Sequence, residues 1–322
     1  MKRGILCAVT AFALAAGVTL AAWEYEGQWG AAGTGNGEFV GPAAIAVAPN
    51  GNVYVGDTEN HRIQYFNANG SFLGKWGSLG TGNGQFNLIY GVIVAPNGNV
   101  YVSDYWNNRI QYFSPGGIFL GVWGSQGTGD GGFERPSGIA IGRGGNLYVA
   151  DTWNYRIQYF TLGGSFLGKW GSPGWLEGEF NHPWGVAVAP RGRAYVADSG
   201  NSRIQYFTPL GSYRGKWGLP GSGEGEFGEP RGIAVRFDGN VYVADTRNNR
   251  IQYFTGTGEY LGKWGRRGKL NGEFDNPYDV AFSPNGARLY VADRYNNRIQ
   301  YFRDSEFSVE PGSLGRVKAL FR

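Results

Sequence analysis

An aspartate stands five residues before an arginine six times in this chain: Asp57 and Arg62, Asp104 and Arg109, Asp151 and Arg156, Asp198 and Arg203, Asp245 and Arg250, Asp293 and Arg298. An asparagine lies between the two each time. One such group would suggest acid–base or ion-binding chemistry. Six argue for a structural device, because catalysis needs one asymmetric arrangement, and an aspartate at a strand end accepts backbone N–H bonds while pairing with a nearby guanidinium. Other reactive residues are scarce. His61 and His182 are the only histidines, so a three-histidine metal site cannot be built. Cys7 is the only cysteine, so no intrachain disulfide can form. Gly-Thr-Gly-Asn-Gly at 33–37 and 80–84 is superficially like a phosphate loop, but no helix follows to supply a dipole, and it reads as a turn. Asp279 stands where the other copies carry glycine or alanine. It is a local substitution or one oxygen ligand of a calcium-type site in a central channel. No catalytic residue, metal site or cofactor is assigned.

These residues are positioned by a repeat. RIQYF begins at Arg62, Arg109, Arg156, Arg203, Arg250 and Arg298, with spacings of 47 and, at the last, 48. A tryptophan–glycine pair recurs from Trp29 to Trp264, with a phenylalanine ten residues beyond, from Phe39 to Phe274. The first copy reads as strands over 43–48, 52–57, 62–66 and 71–77, joined by Pro49-Asn50-Gly51, a short connection at 58–61, and a turn at 67–70. No segment has helical periodicity. The 57 glycines among 322 residues exclude a helical bundle, and 16% aromatic against 17% charged residues exclude disorder. Four strands in each unit of this length predict an all-β, six-bladed β-propeller of four-stranded antiparallel blades. Residues 24–29 match the fourth strand of a copy, and the last copy has only three. The N-terminal strand is therefore expected to complete the last blade, removing an exposed edge.

The series of an apolar strand, P-x-G, YVAD, N-x-RIQYF and FLGKWG resembles the NHL repeat over about residues 23–302, although only Asn60-His61-Arg62 keeps those letters well. The resemblance implies a six-bladed propeller and leaves function open, since such propellers serve as enzymes, RNA readers and protein-binding platforms. The family includes a lyase acting on hydroxyglycine-ended peptides. Its zinc chemistry relies on several histidines, which His61 and His182 cannot supply, so its residues do not carry over.

In an up-and-down blade the second-to-third and fourth-to-first connections share one side of the disc. Two positions there vary sharply. One holds Ala43, Tyr90, Ser137, Trp184, Arg231 and Tyr278; the other holds Glu59, Trp106, Trp153, Gly200, Arg247 and Tyr295. Arg135, Trp175 and His182 lie nearby. The opposite side has bland Pro-Asn-Gly-type turns. Aromatic and arginine side chains are enriched in binding hot spots, so Tyr90, Trp106, Arg135, Trp153, Trp175, Trp184, Arg231, Arg247, Tyr278 and Tyr295 form a candidate ligand-binding face for a protein, peptide or glycan. Rim packing between blades is the other reading. A propeller enzyme of lyase or lactonase-like type, with its site at the central channel, is the alternative function. Nucleic acid is not an expected partner, because residues 23–302 hold 23 Lys+Arg against 22 Asp+Glu and lack a basic footprint. A monomer is expected.

Lys2 and Arg3, an apolar run from Ile5 to Ala22 and small residues before Trp23 have the layout of a signal peptide over 1–22. Export is expected, with membrane attachment only if this segment stays uncleaved. The tail, 303–322, places Leu314, Val317, Leu320 and Phe321 at helical spacing, as a short amphipathic helix or a frayed end.

Overall fold

In the computed structural model, which describes residues 23–305, each copy folds where its apolar and β-branched residues cluster and turns where glycine or proline interrupts them. The expected signal segment and the expected tail beyond Ser305 lie outside the described residues. Blade 1 comprises Pro42–Val47, Val53–Asp57, Arg62–Phe66 and Phe72–Trp76 from the axis outward; blade 2 comprises Ile89–Val94, Val100–Asp104, Arg109–Phe113 and Phe119–Trp123. Blades 3, 4 and 5 repeat the plan, with inner strands Pro136–Ile141, Pro183–Val188 and Pro230–Val235. Every sheet has four antiparallel strands in sequential order, except that of blade 6. There Pro277–Phe282, Arg288–Asp293 and Arg298–Asp304 are joined by Trp23–Trp29 at the outer edge.

The expected closure is therefore present. Trp23 pairs with Asp304 and Trp29 with Ile299, so the strand runs two residues past RIQYF into what the sequence reads as tail. Arg288 reaches Glu26 with two bonds of 2.6 and 2.5 Å, and Arg236 of blade 5 pairs with Asp304 at 2.6 Å.

The repeated aromatics stitch neighbouring blades. Each outer-strand tryptophan packs on the third-strand phenylalanine of the next blade, as Trp29 on Phe66 at 5.6 Å and Trp170 on Phe207 at 5.7 Å between ring centroids. Such a pair contributes about 0.5–1.5 kcal/mol beyond the area it buries. Gly70, at φ +87°, lies flat against the Trp29 indole; a Cβ there would come within 2.6 Å of the ring. Glycine is thus required both by backbone sign and by clearance.

Candidate binding surface

The six Asp–Arg groups are alike and closed. In blade 1 the Arg62 Nε donates to Asp57 Oδ2 at 2.6 Å, and the Val40 amide, Asn60 and Gln64 donate to the same carboxylate. The rest of the guanidinium donates to the carbonyls of Thr34, Gly35 and Glu38 in the link entering the blade. The other five copies repeat the ion pair at 2.7–2.8 Å, with each aspartate fully buried. Burial pushes the carboxyls of Asp57, Asp151, Asp198, Asp245 and Asp293 above their ordinary range, against the pull of these donors. With both carboxylate oxygens bonded to protein donors in every copy, the group acts as a clamp fastening link to blade.

The variable positions behave differently, and they separate into two sets. Blades 2, 4 and 6 place Tyr90, Trp184 and Tyr278 at the start of their inner strands, while blades 1, 3 and 5 place Ala43, Ser137 and Arg231 there. The alternation lets three rings meet across the axis: Tyr90–Trp184 at 5.2 Å, Tyr90–Tyr278 at 5.6 Å and Trp184–Tyr278 at 5.8 Å. The Arg231 guanidinium lies 4.5 Å from both the Trp184 and Tyr278 rings and donates to the Tyr278 hydroxyl. Tyr278 is 1% exposed. Burial raises its phenol pKa. These four residues, counted from sequence as part of a binding face, plug one mouth of the channel.

Outside the plug the rings reach solvent. Arg135 is sandwiched between Trp106 and Trp153, 4.0 and 4.3 Å from their centroids, and those indoles are 44% and 41% exposed. The Trp153 Nε1 donates to the Tyr105 hydroxyl at 3.1 Å, and Tyr105 packs edge-on to Tyr90 at 4.9 Å. The exposed stack is therefore braced on the plug. Tyr295 is exposed, with Arg294 5.5 Å from its ring. Arg247 reaches Glu229, which also takes Arg231. Trp175 stands exposed on the link before blade 4, apart from the stack.

Tyr105 and Arg294 belong to this surface and were not singled out from sequence. Their signal is the residue after each clamp aspartate: Thr58, Tyr105, Thr152, Ser199, Thr246 and Arg294. Thr58, Thr152 and Ser199 donate to the carbonyls of Ile89, Pro183 and Pro230 at the start of the next blade. Tyr105 and Arg294 point into the mouth instead; Arg294 lies 4.8 Å from Tyr278 and 5.7 Å from Tyr90.

Below the plug is a channel of about 250 Å³, walled by the apolar inner strands. Asp279 faces it. The carboxylate accepts the amides of Ile45, across the seam to blade 1, at 3.0 Å and of Val280 at 2.9 Å. Gly232 makes the room, since a Cβ there would come within 2.4 Å of Asp279 Cα. Burial pushes the carboxyl up to about 7. The two histidines are not brought together. His61 Nδ1 accepts the Leu88 amide at 3.1 Å, and His182 Nδ1 bonds Asn181 Oδ1 at 2.7 Å beside Trp153. Burial lowers both pKa values. Among the described residues no group of three His, Cys, Asp or Glu could hold a metal ion. Asp279, bonded to two amides in an apolar channel, does not fit the oxygen-ligand site considered above.

The NHL repeat sequence model matches residues 39–66, 86–113, 133–160, 180–207 and 227–254. The corresponding stretch of the last copy, 274–302, is one residue longer and forms a blade all the same. No curated protein sequence matches. Among solved structures the chain is similar to a streptogramin B lyase, with 16% identity and a TM-score of 0.62 over 88% of this chain and 98% of that one. It is also similar to virginiamycin B lyase from Staphylococcus aureus, with 16% identity and a TM-score of 0.59 over 82% and 95%. A third similar structure is Kuenenia stuttgartiensis hydrazine synthase, with 13% identity and a TM-score of 0.58 over 85% and 98%. At these identities the likeness is one of fold. Five matched repeats and six blades of one plan together make this chain an NHL-repeat protein of the six-bladed β-propeller type.

Proposed function

We propose that this propeller is exported and acts as a non-catalytic interaction platform, taking a polypeptide ligand on the mouth that carries Trp106, Arg135 and Trp153. The observation behind this reading is the exposed Trp–Arg–Trp stack, braced from beneath by Tyr105. Rigid aromatic and guanidinium groups bind partners at low cost in conformational entropy. The mouth itself is plugged, so the surface offers a broad shallow platform rather than a small-molecule cleft. Arg135, Arg231, Arg247 and Arg294 outnumber the two glutamates that pair among them, Glu59 and Glu229, which favours a ligand with acidic as well as aromatic groups. Export follows from the signal-like residues 1–22.

The test is selection from a random displayed-peptide library on the wild-type propeller, repeated on a Trp106→Ala, Trp153→Ala variant. The reading expects selected peptides to lose binding to the variant by tenfold or more. Equal binding to both would remove the surface from consideration, and selection of glycans alone on an array would replace the ligand class.

Catalysis at the channel is the second reading, favoured by Asp279 as the one acidic side chain among its lining residues and by the fold shared with two lyases. A substrate screen on the wild type and on Asp279→Asn decides it. Turnover by the wild type that the variant loses would favour an enzyme, and no turnover by either would remove this reading.

A further inference from the structure

Among the described residues, the outer strand of each blade ends its sheet and presents an unpaired row of backbone N–H and C=O groups. Five of the six edges carry charge on their solvent side. Ser71, Leu73 and Lys75 occupy the exposed positions of blade 1; Ser165, Leu167 and Lys169 those of blade 3; Ser212, Arg214 and Lys216 those of blade 4. Blade 5 has Glu259, Leu261 and Lys263, and blade 6 has Glu24, Glu26 and Gln28. Blade 2 alone has Ile118, Leu120 and Val122. They are 71%, 45% and 42% exposed. Two of the three positions have changed from a polar or charged residue to a β-branched one, Ile118 just before the strand and Val122 within it. A lysine on an edge strand blocks pairing with another chain; an uncharged, β-branched edge invites it.

We infer that Phe119–Trp123 is a dimerisation edge, pairing antiparallel with the same strand of a second copy about a two-fold axis. The occupant follows from the charges. Pairing with the edges of blades 1, 3, 4 or 5 of another copy would desolvate a lysine, three of which already hold Asp130, Glu177 and Glu224. The glutamates of the blade 6 edge already hold Arg288 and Arg303. Only the blade 2 edge meets itself with no charge desolvated. A two-fold axis perpendicular to the sheet keeps Ile118, Leu120 and Val122 of both copies on one face, where they form a continuous apolar strip across an eight-stranded sheet. The irregular register at Phe119 recurs in the outer strands of blades 1, 3, 4 and 5, so the side chains make the difference. One short strand pair makes a small interface, and dissociation in the micromolar range is expected. The inferred dimer stands against the monomer expected from sequence, and the oligomeric state decides between them.

The test is analytical ultracentrifugation of the purified chain over a micromolar to millimolar series. Wild type is expected to pass from monomer to dimer. Ile118→Ser with Val122→Lys installs the residues that blades 1 and 3 already carry, so it folds, and it is expected to raise the dissociation constant at least tenfold. Ser165→Ile with Lys169→Val moves the apolar edge to blade 3 as well and is expected to give species larger than a dimer. A wild type that stays monomeric throughout, or a dimer unchanged by Ile118→Ser and Val122→Lys, would overturn the inference.

Discussion

The clamp and the mouth are built from neighbouring residues, yet they follow opposite rules. Asp, Asn, Arg and Gln are the same in all six clamps, and their bond lengths agree within a few tenths of an ångström. One residue on from the aspartate, and again where the inner strand begins, the copies diverge, and Tyr105, Tyr90, Trp184 and Tyr278 leave their blades to meet at the axis. A requirement met once per blade is met identically. A surface used once per molecule must break the repeat. The first region serves stability, the second is where the proposed function places recognition, and the variants below separate the two.

The largest effect is expected at the clamp. Arg156→Ala leaves Asp151 buried without its cation and frees three link carbonyls; about 3–5 kcal/mol of stability should be lost, measured by denaturant unfolding. Trp184→Ala removes the central ring of the plug. Because that ring is partly open to the mouth, the loss should be about 2–3 kcal/mol, at the lower end for a tryptophan. Asp279→Asn should change the shape of the pH profile rather than its height. With its pKa raised toward 7, the folded chain holds a proton that the unfolded chain releases near the ordinary carboxyl value. Its contribution to stability is therefore present in acid and lost as pH rises through about 7. The channel leaves one side of the carboxylate open to water, so about 2 kcal/mol is expected, half of what a full rise would carry. Unfolding of wild type and Asp279→Asn at pH 4, 6 and 8 checks this: the difference between them should drift in favour of the variant as pH rises. The smallest stability change, about 1–2 kcal/mol, is expected for Trp106→Ala with Trp153→Ala, whose rings are half exposed but hold Arg135 between them.

The fold was legible because its signals are local and repeated. Turn glycines, strand-forming runs and the orphan strand at 24–29 determine blade number and closure without long-range information. The candidate face stands out in the sequence as a set of positions, because variation is visible against a constant frame. What the linear sequence did not separate was which aromatics are buried. Tyr278 and Trp106 are both aromatic substitutions in a repeat; only the convergence of blades 2, 4 and 6 on the axis covers Tyr278 and leaves Trp106 open. Tyr105 and Arg294 follow a constant aspartate, and only the ring geometry turns them into the mouth. Asp279 stood out in sequence, but its two amide donors come from its own strand and from blade 1, a seam that exists only once the ring closes.

The central claim is that recognition resides where the copies differ. Peptides selected on the wild-type propeller should be measured by titration against two double variants. One is Trp106→Ala with Trp153→Ala at the mouth, and the other is Asn97→Ala with Asn285→Ala in the Pro-Asn-Gly turns of the opposite face. The account expects affinity to fall at least tenfold for the first and to stay within twofold for the second. Equal affinity for the mouth variant, or a loss confined to the turn variant, would contradict it.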